Sequence, residues 1–328
     1  MYSGILNHIE PPQAAPATMN LATSSAWIDR FLSAEPPRSK SLVMTVLGDA
    51  IAPHGGAVWL GSLIELVAPL AVTDRLTRTS VFRLVNEGWL IASREGRRSR
   101  YLLSPQALPR VARANRRIYS KPGLHWDGRW VLLLTPNGSL DADQRSALRR
   151  ELQWDGFAML AAGVLAHPAP DLTSLGEILR RNGAEGRLFA CTATELPGVA
   201  SRPLPELVAE GWDLSGVAAQ YRHFIDTFAQ LETLLPGDDI APQTAFMVRT
   251  LLVHAYRRLQ LHDPMLPLEL LPAQWPGTQA YELARSIYLR TFARAEEHVL
   301  EVLRREDPQA PGADTGFYER FGGLPKDG

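Results

Sequence analysis

Arg75, Arg78, Thr79 and Arg83 have the chemistry and spacing of a DNA base reader. A guanidinium donates two parallel hydrogen bonds to guanine N7 and O6, and a threonine meets a thymine methyl or a phosphate. For these residues to share a surface, the stretch must be a helix with Val81, Leu84 and Val85 on its other side. Helical projection of residues 72–86 gives that result. Arg75, Thr79, Arg83 and Asn86 face away from the apolar side, and Arg78 flanks the seam. Thr73 stands where an N-cap is needed, and a helix start there offers free N–H groups to a phosphate. Further on, Gly96 leads into Arg97 and Arg98, with Arg100 close behind. Arginines at a hairpin tip suit phosphate contacts, which fix register without reading sequence.

Charge supports a polyanion partner at this place. Residues 74–117 carry eleven arginines and three acids, a net of +8, whereas the rest of the chain carries −9. A basic block in an otherwise acidic protein is an electrostatic footprint for nucleic acid. The competing reading is a solvated surface in an arginine-biased chain, since lysine occurs at only three positions.

The elements that must hold these residues follow from hydrophobic period and turn residues. Residues 1–22 are rich in Pro, Ala and Asn without period, and are expected to be a disordered tail. A short helix carrying Trp27, Ile28, Phe31 and Leu32, capped by Ser24 or Ser25, ends at Pro36-Pro37. Helices follow over 39–52 and 61–70, with a short strand at 57–60 between them. The reader helix is next, with Gly88 at its stop. Strands at 89–93 and 100–104 read as a hairpin around a charged turn, and 105–119 is a basic amphipathic helix. Helix, strand, helix, helix and hairpin is the order of a winged helix-turn-helix.

Residues 122–202 read as strand (130–135), helix (141–153), two strands broken near Gly163, helix (172–182) and strand (187–192), the ferredoxin-like order. From 203 to 310 the pattern is helical, ending in a long helix over 278–304, and 311–328 is expected to be a loop-like tail. The fold class is therefore α+β and multidomain: a winged helix with its linker helix (23–121), a ferredoxin-like domain and an all-helical domain.

Little else in the chain suggests chemistry. The eight histidines show neither H-E-x-x-H nor H-x3-H spacing, and the single cysteine excludes an intramolecular disulfide and any multi-cysteine metal site. Walker A, G-x-G-x-x-G and G-x-S-x-G motifs are absent from the sequence. Glu296-Glu297-His298 reads as a solvated helix face, and Cys191 as a buried thiol on an apolar strand. No run of about 18 apolar residues and no secretory signal is present, so a cytoplasmic location without a membrane partner is expected.

Residues 73–90, Thr-Asp-Arg-Leu-Thr-Arg-Thr-Ser-Val-Phe-Arg-Leu-Val-Asn-Glu-Gly-Trp-Leu, resemble the recognition helix and first wing strand of the PaaX family. Gly55–Leu63, Gly96–Tyr101, Trp126–Trp130, His254–Arg258, Asp263–Pro272 and Glu319–Leu324 carry further blocks of the resemblance, in the family's order. It spans nearly all of residues 24–324. The family comprises repressors of phenylacetic acid catabolism. The resemblance implies a GntR-like DNA-binding domain, a central domain similar to Cas2, a helical C-terminal domain, a homodimer, and phenylacetyl-CoA as inducer.

An acyl-CoA needs arginines for its phosphates and an apolar, aromatic-lined cavity for its acyl end. Outside the basic block, His254, Tyr256, Arg257 and Arg258 are the best concentration of such groups, with His254 and Arg258 on one helix face. Their competing role is to complement the nearby helix C-terminus. Trp126, Arg129 and Trp130 are a second candidate, with core packing as the plainer reading. A Cas2-like domain also raises a nuclease, but its first strand runs into Thr135-Pro136-Asn137, without the carboxylate that Mg2+ requires. Asp141 and Asp143 lie later, at a helix start, where capping is the ordinary role.

The reading reached is a non-enzymatic repressor that binds double-stranded operator DNA and is released by an acyl-CoA. A Cas2-like nuclease, a CoA-thioester hydrolase and a winged-helix protein-interaction module are the alternatives.

Overall fold

The computed structural model describes residues 23–325, apart from 124, 197, 200–202 and 236–239. The tail expected over 1–22 lies outside the described residues.

The first helix, α1 (Ser24–Ala34), buries Trp27, Ile28 and Phe31. Its cap is Thr23, whose side chain accepts from Ala26 N, one residue before the expected serines. Next, α2 (Ser39–Val46) runs on as a wider π turn over Leu47–Ile51, where a plain α-helix to Ala52 is expected. A buried carboxylate, Asp49, sits in that turn. Strand β1 (Ala57–Trp59) leads into α3 (Leu60–Val67) and then α4 (Asp74–Asn86).

The hairpin is formed by β2 (Leu90–Glu95) and β3 (Arg98–Leu103), and the sheet order is β1-β3-β2. These strands reach closer to the tip than expected, because Glu95 pairs with Arg98 around Gly96-Arg97. Gly96 has φ +61°, which a two-residue turn can require and a side chain resists. Element order and pairing agree with those expected for a winged helix. The linker helix α5 (Ala107–Tyr119) follows at once, anchored by Ser104, which donates to Gly88 O and accepts from Ala107 N.

The central unit contains β4 (Arg129–Leu134), α6 (Ala142–Trp154), β5 (Ala158–Ala161), β6 (Val164–His167), α7 (Leu172–Arg181) and β7 (Phe189–Thr194). Its sheet order, β5-β6-β4-β7, is antiparallel throughout, as a split β-α-β arrangement requires. Strand β4 reads Trp-Val-Leu-Leu-Leu because both of its faces are covered. Leu133 packs with Leu148, Leu152 and Ile178 beneath α6 and α7. Trp130 packs on the other side with Val208, Trp212 and Leu266. Val208 belongs to α8 (Leu204–Gly211), so the helical region begins against the back of this sheet. Cys191 lies on the edge strand and is partly exposed, a correction to the buried thiol expected.

The remaining helices are α9 (Leu214–Phe228), α10 (Leu231–Leu234), α11 (Pro242–His262), α12 (Pro276–Glu306) and α13 (Thr315–Tyr318). Among the described residues no helix is long and apolar enough to cross a membrane. One continuous hydrophobic cluster takes in Leu42 and Leu66 from the N-terminal helices, Phe228 and Phe246 from the C-terminal ones, and Phe317, Phe321 and Leu324. Residues 315–324 are therefore anchored to the core, which corrects the loop-like tail. Their buried side chains, Phe317, Arg320, Phe321 and Leu324, fall at i, i+3, i+4 and i+7, a helical spacing interrupted by Gly322-Gly323.

Candidate nucleic-acid interface and effector clefts

Helix α4 buries Thr77, Ser80, Val81 and Leu84. Thr73 caps it by accepting from Leu76 N at 3.4 Å. That burial leaves Arg75, Arg78, Thr79, Arg83 and Asn86 exposed, as the projection requires. Two details add to the projection. The Arg78 guanidinium is held by Asp74, with Nε 2.5 Å from Oδ1 and Nη2 3.2 Å from Oδ2. Phe82 lies on the outer surface, 65% exposed, beside the arginines.

The wing divides its arginines. Arg97 is at the turn and exposed. Arg98 lies over the Trp59 ring at 4.5 Å. Arg100 is turned back, 5.8 Å from the same ring and 3.5 Å from Asp307 Oδ2, just past the end of α12. Of these three arginines, Arg97 is exposed at the tip, whereas Arg100 holds the wing against the body. Asp307 is more than two hundred residues away, so no local pattern reveals it.

The acyl-CoA candidates do not converge on one cavity. His254 is buried, with Nδ1 3.0 Å from Thr45 Oγ1. Burial, with Arg257 and Arg258 nearby, pulls its pKa down to about 3, so the ring is neutral. Tyr256 is a core residue packed 5.4 Å from Phe224. Arg257 donates to Ser41 Oγ at 3.2 Å, tying α11 to α2. Arg258 alone of the four is exposed, on a cavity of about 630 Å³ shared with Phe224, Phe228 and Leu259. His254 and Arg258 lie at i, i+4 on α11, but α2 covers the His254 end. Trp126 and Trp130 pack edge to face at 5.6 Å, and Trp130 stacks on Trp212, which is the packing role. Asp141 caps α6 through a capping box with Gln144.

A buried ionic network went unseen. Asp49 Oδ1 accepts from Tyr119 OH (2.6 Å) and Arg320 Nη1 (2.9 Å), and Arg249 Nε lies 3.2 Å from Oδ2. Arg249 also donates to Glu296 Oε1 at 2.6 Å, and His54 Nε2 is 3.0 Å from Glu296 Oε2. Burial opposes the Glu296 charge, yet Arg249 and His54 pull its pKa down to about 2. Burial likewise opposes the Arg249 charge, and Asp49 and Glu296 hold its pKa above the usual value. The solvated face expected for 296–298 is thus corrected: Glu296 is engaged inside, and His298 is buried beside Phe246. The available signal was Arg249, a lone charge within the apolar run Phe246–Val253.

Two clefts flank α5. The larger, about 960 Å³, lies between Ala112, Asn115 and Arg116 of α5, Tyr281 and Arg285 of α12, and Phe317 and Phe321. The other, about 760 Å³, lies between α5 and the α6–α7 face of the central unit.

The chain matches three family models: "PaaX-like protein" over residues 38–107, "PaaX protein central Cas2-like domain" over 123–204 and "PaaX-like protein C-terminal domain" over 212–301. It is similar to "Transcriptional repressor PaaX" of Escherichia coli (strain K12), 38% identical over 301 residues, which covers 91% of this chain and 94% of that protein. Among solved structures it is similar to "Uncharacterized protein Rv0674 from Mycobacterium tuberculosis", 26% identical, covering 76% of this chain and 97% of that one, with a TM-score of 0.48.

Proposed function

The chain belongs to the PaaX family, and from that premise we propose that it is a transcriptional repressor of phenylacetate catabolism genes, released from operator DNA by phenylacetyl-CoA. The observation that carries the reading is the outer face of α4. Arg75, Arg78, Thr79 and Arg83 stand exposed there, on a helix whose other side is locked into the core. Such a face docks in a major groove, where arginine forks read guanine and Phe82 meets a thymine methyl. The wing adds backbone contact through Arg97. A homodimer would set two such faces on a palindromic site.

An inducer releases DNA only by binding the DNA-incompetent form more tightly, and linkage makes the antagonism reciprocal. The test is titration of promoter DNA against phenylacetyl-CoA, other acyl-CoAs and free phenylacetate. Phenylacetyl-CoA is expected to lower operator affinity, operator to lower phenylacetyl-CoA affinity by the same factor, and phenylacetate to do much less. Release by phenylacetate and not by its thioester would remove the acyl-CoA part of the proposal. Absence of any specific promoter binding would remove all of it.

A further inference from the structure

The smaller cleft beside α5 has an unbalanced charge. Six arginines and three acidic residues line it. Glu177 is taken by Arg113 at 2.5 Å, and Glu151 by Arg181. Asp155 accepts from Ser174 Oγ at 2.8 Å. Arg117 gives one N–H to the Asp263 carbonyl, while its Nε–H is buried and has no acceptor among the described residues. Arg180 comes no nearer than 3.7 Å to the exposed Glu185. Among the described residues, Arg110 and Arg150 form no ion pair. The surplus of positive charge is therefore open to a ligand. Trp154 stands at one end, 59% exposed and inclined against His262 at 5.8 Å between ring centroids.

We propose that this cleft binds the nucleotide part of a small ligand, with Arg110, Arg150 and Arg180 on its phosphates and Trp154 under its base. Guanidinium forks match phosphate geometry, and a tryptophan face left in solvent is a stacking platform. About 760 Å³ suits a small molecule and is too small for a DNA duplex. Arg150, Trp154 and Leu261 also line an adjoining depression of about 490 Å³ toward Trp212, which gives an extended arm somewhere to go. The larger cavity across α5 lacks this surplus: Glu282, Asp314 and Glu319 offset its cations, and Arg320 is committed to Asp49.

The inference rests on the acyl-CoA reading above and adds the place where the nucleotide end sits. It also supplies a route to the wing. Arg110 now lies 5.5 Å from the ring of Trp89, the residue before β2. A phosphate that draws Arg110 away competes with that contact.

The experiment is calorimetry on the full chain with adenosine 3′,5′-bisphosphate, coenzyme A and phenylacetyl-CoA. Wild type is compared with Arg150→Ala/Arg180→Ala and with Trp154→Ala, and operator affinity is measured in parallel. All three side chains are exposed, so the variants are expected to fold, and circular dichroism checks this. Wild type is expected to bind all three probes, and each variant to bind them about tenfold or more weakly, with operator affinity unchanged. If phenylacetyl-CoA releases wild type from DNA while both variants bind every probe normally, the effector reading survives and this cleft is overturned as its site. If the probes bind here without releasing DNA, the cleft stands and the effector reading fails. No binding of any probe by wild type overturns the cleft, as does loss of operator affinity in place of ligand affinity, which would make it a DNA contact.

Discussion

A side chain's role here depends on what lies across from it, and sequence shows only one side of each contact. Arg97 and Arg100 look alike in the sequence, yet one faces solvent and the other faces Asp307. Arg97→Ala is expected to weaken cognate and random DNA about equally and to lower the salt slope of binding by about one. Arg100→Ala is expected to leave that slope unchanged. Binding measured across a salt series separates them, and equal slopes for the two variants would contradict the division. Buried histidines give a second prediction. His254 is held neutral with a pKa of about 3, and His167, which meets Pro264 O at 3.1 Å, with one of about 4. Burial is the leading cause of both shifts. Unfolded, each would titrate near 6.5, so below that pH the unfolded chain binds more protons and folding weakens. Stability is expected to fall from about pH 6.5 toward pH 4, by up to about 1.4 kcal/mol per pH unit for each group. Urea unfolding across that range checks this. His254→Gln is expected to flatten the slope, and the same slope in the variant would rule His254 out as its source.

Elements with a strong period were legible. The face of α4 came from its apolar spacing and its cap, and the ferredoxin-like order came from its strand and helix runs. The π turn and the burial of Arg320 were not, because Asp49 and Arg320 meet across more than two hundred residues; the hairpin tip differs only by a local pairing, Glu95 with Arg98. The exposed arginine face of α4 was therefore readable, whereas the two clefts beside α5, each walled by several elements, were not. Arg320 shows the point most directly. It sits next to Phe321 in the final segment and donates to both Asp49 Oδ1 and the Asp49 carbonyl, closing the π turn onto α12 through Tyr288. Removing Arg320 strips Asp49 Oδ1, the Asp49 carbonyl and the Tyr288 hydroxyl of a buried donor and leaves Asp49 with Arg249 as its one remaining cation among the described residues. Arg320→Ala is expected to cost about 3–5 kcal/mol. Denaturant unfolding measures it, and a loss within error of an exposed-arginine control such as Arg304→Ala would show that the network carries little.

At the scale of the whole molecule, the N-terminal unit that carries α4 and the helical C-terminal region share one core. Glu306, at the end of α12, accepts from Ser62 N at 3.3 Å in the first turn of α3, which has no cap of its own. The end of α12 is thus tied directly to the helix that precedes α4. Amides of α3, α4 and α12 are expected to exchange as one cooperative group, those of α6 and α7 separately, since a different cluster buries them. Hydrogen exchange tests that grouping. The central claim, that α4 reads operator sequence, is tested most directly by one specificity profile. Wild-type and Arg75→Ala proteins are bound to an operator series in which each base pair is varied in turn. The account predicts a loss of about 1–3 kcal/mol on the natural operator for the variant, with preference relaxed at one base position and kept at the others. A variant whose affinity and whole profile match wild type would contradict it.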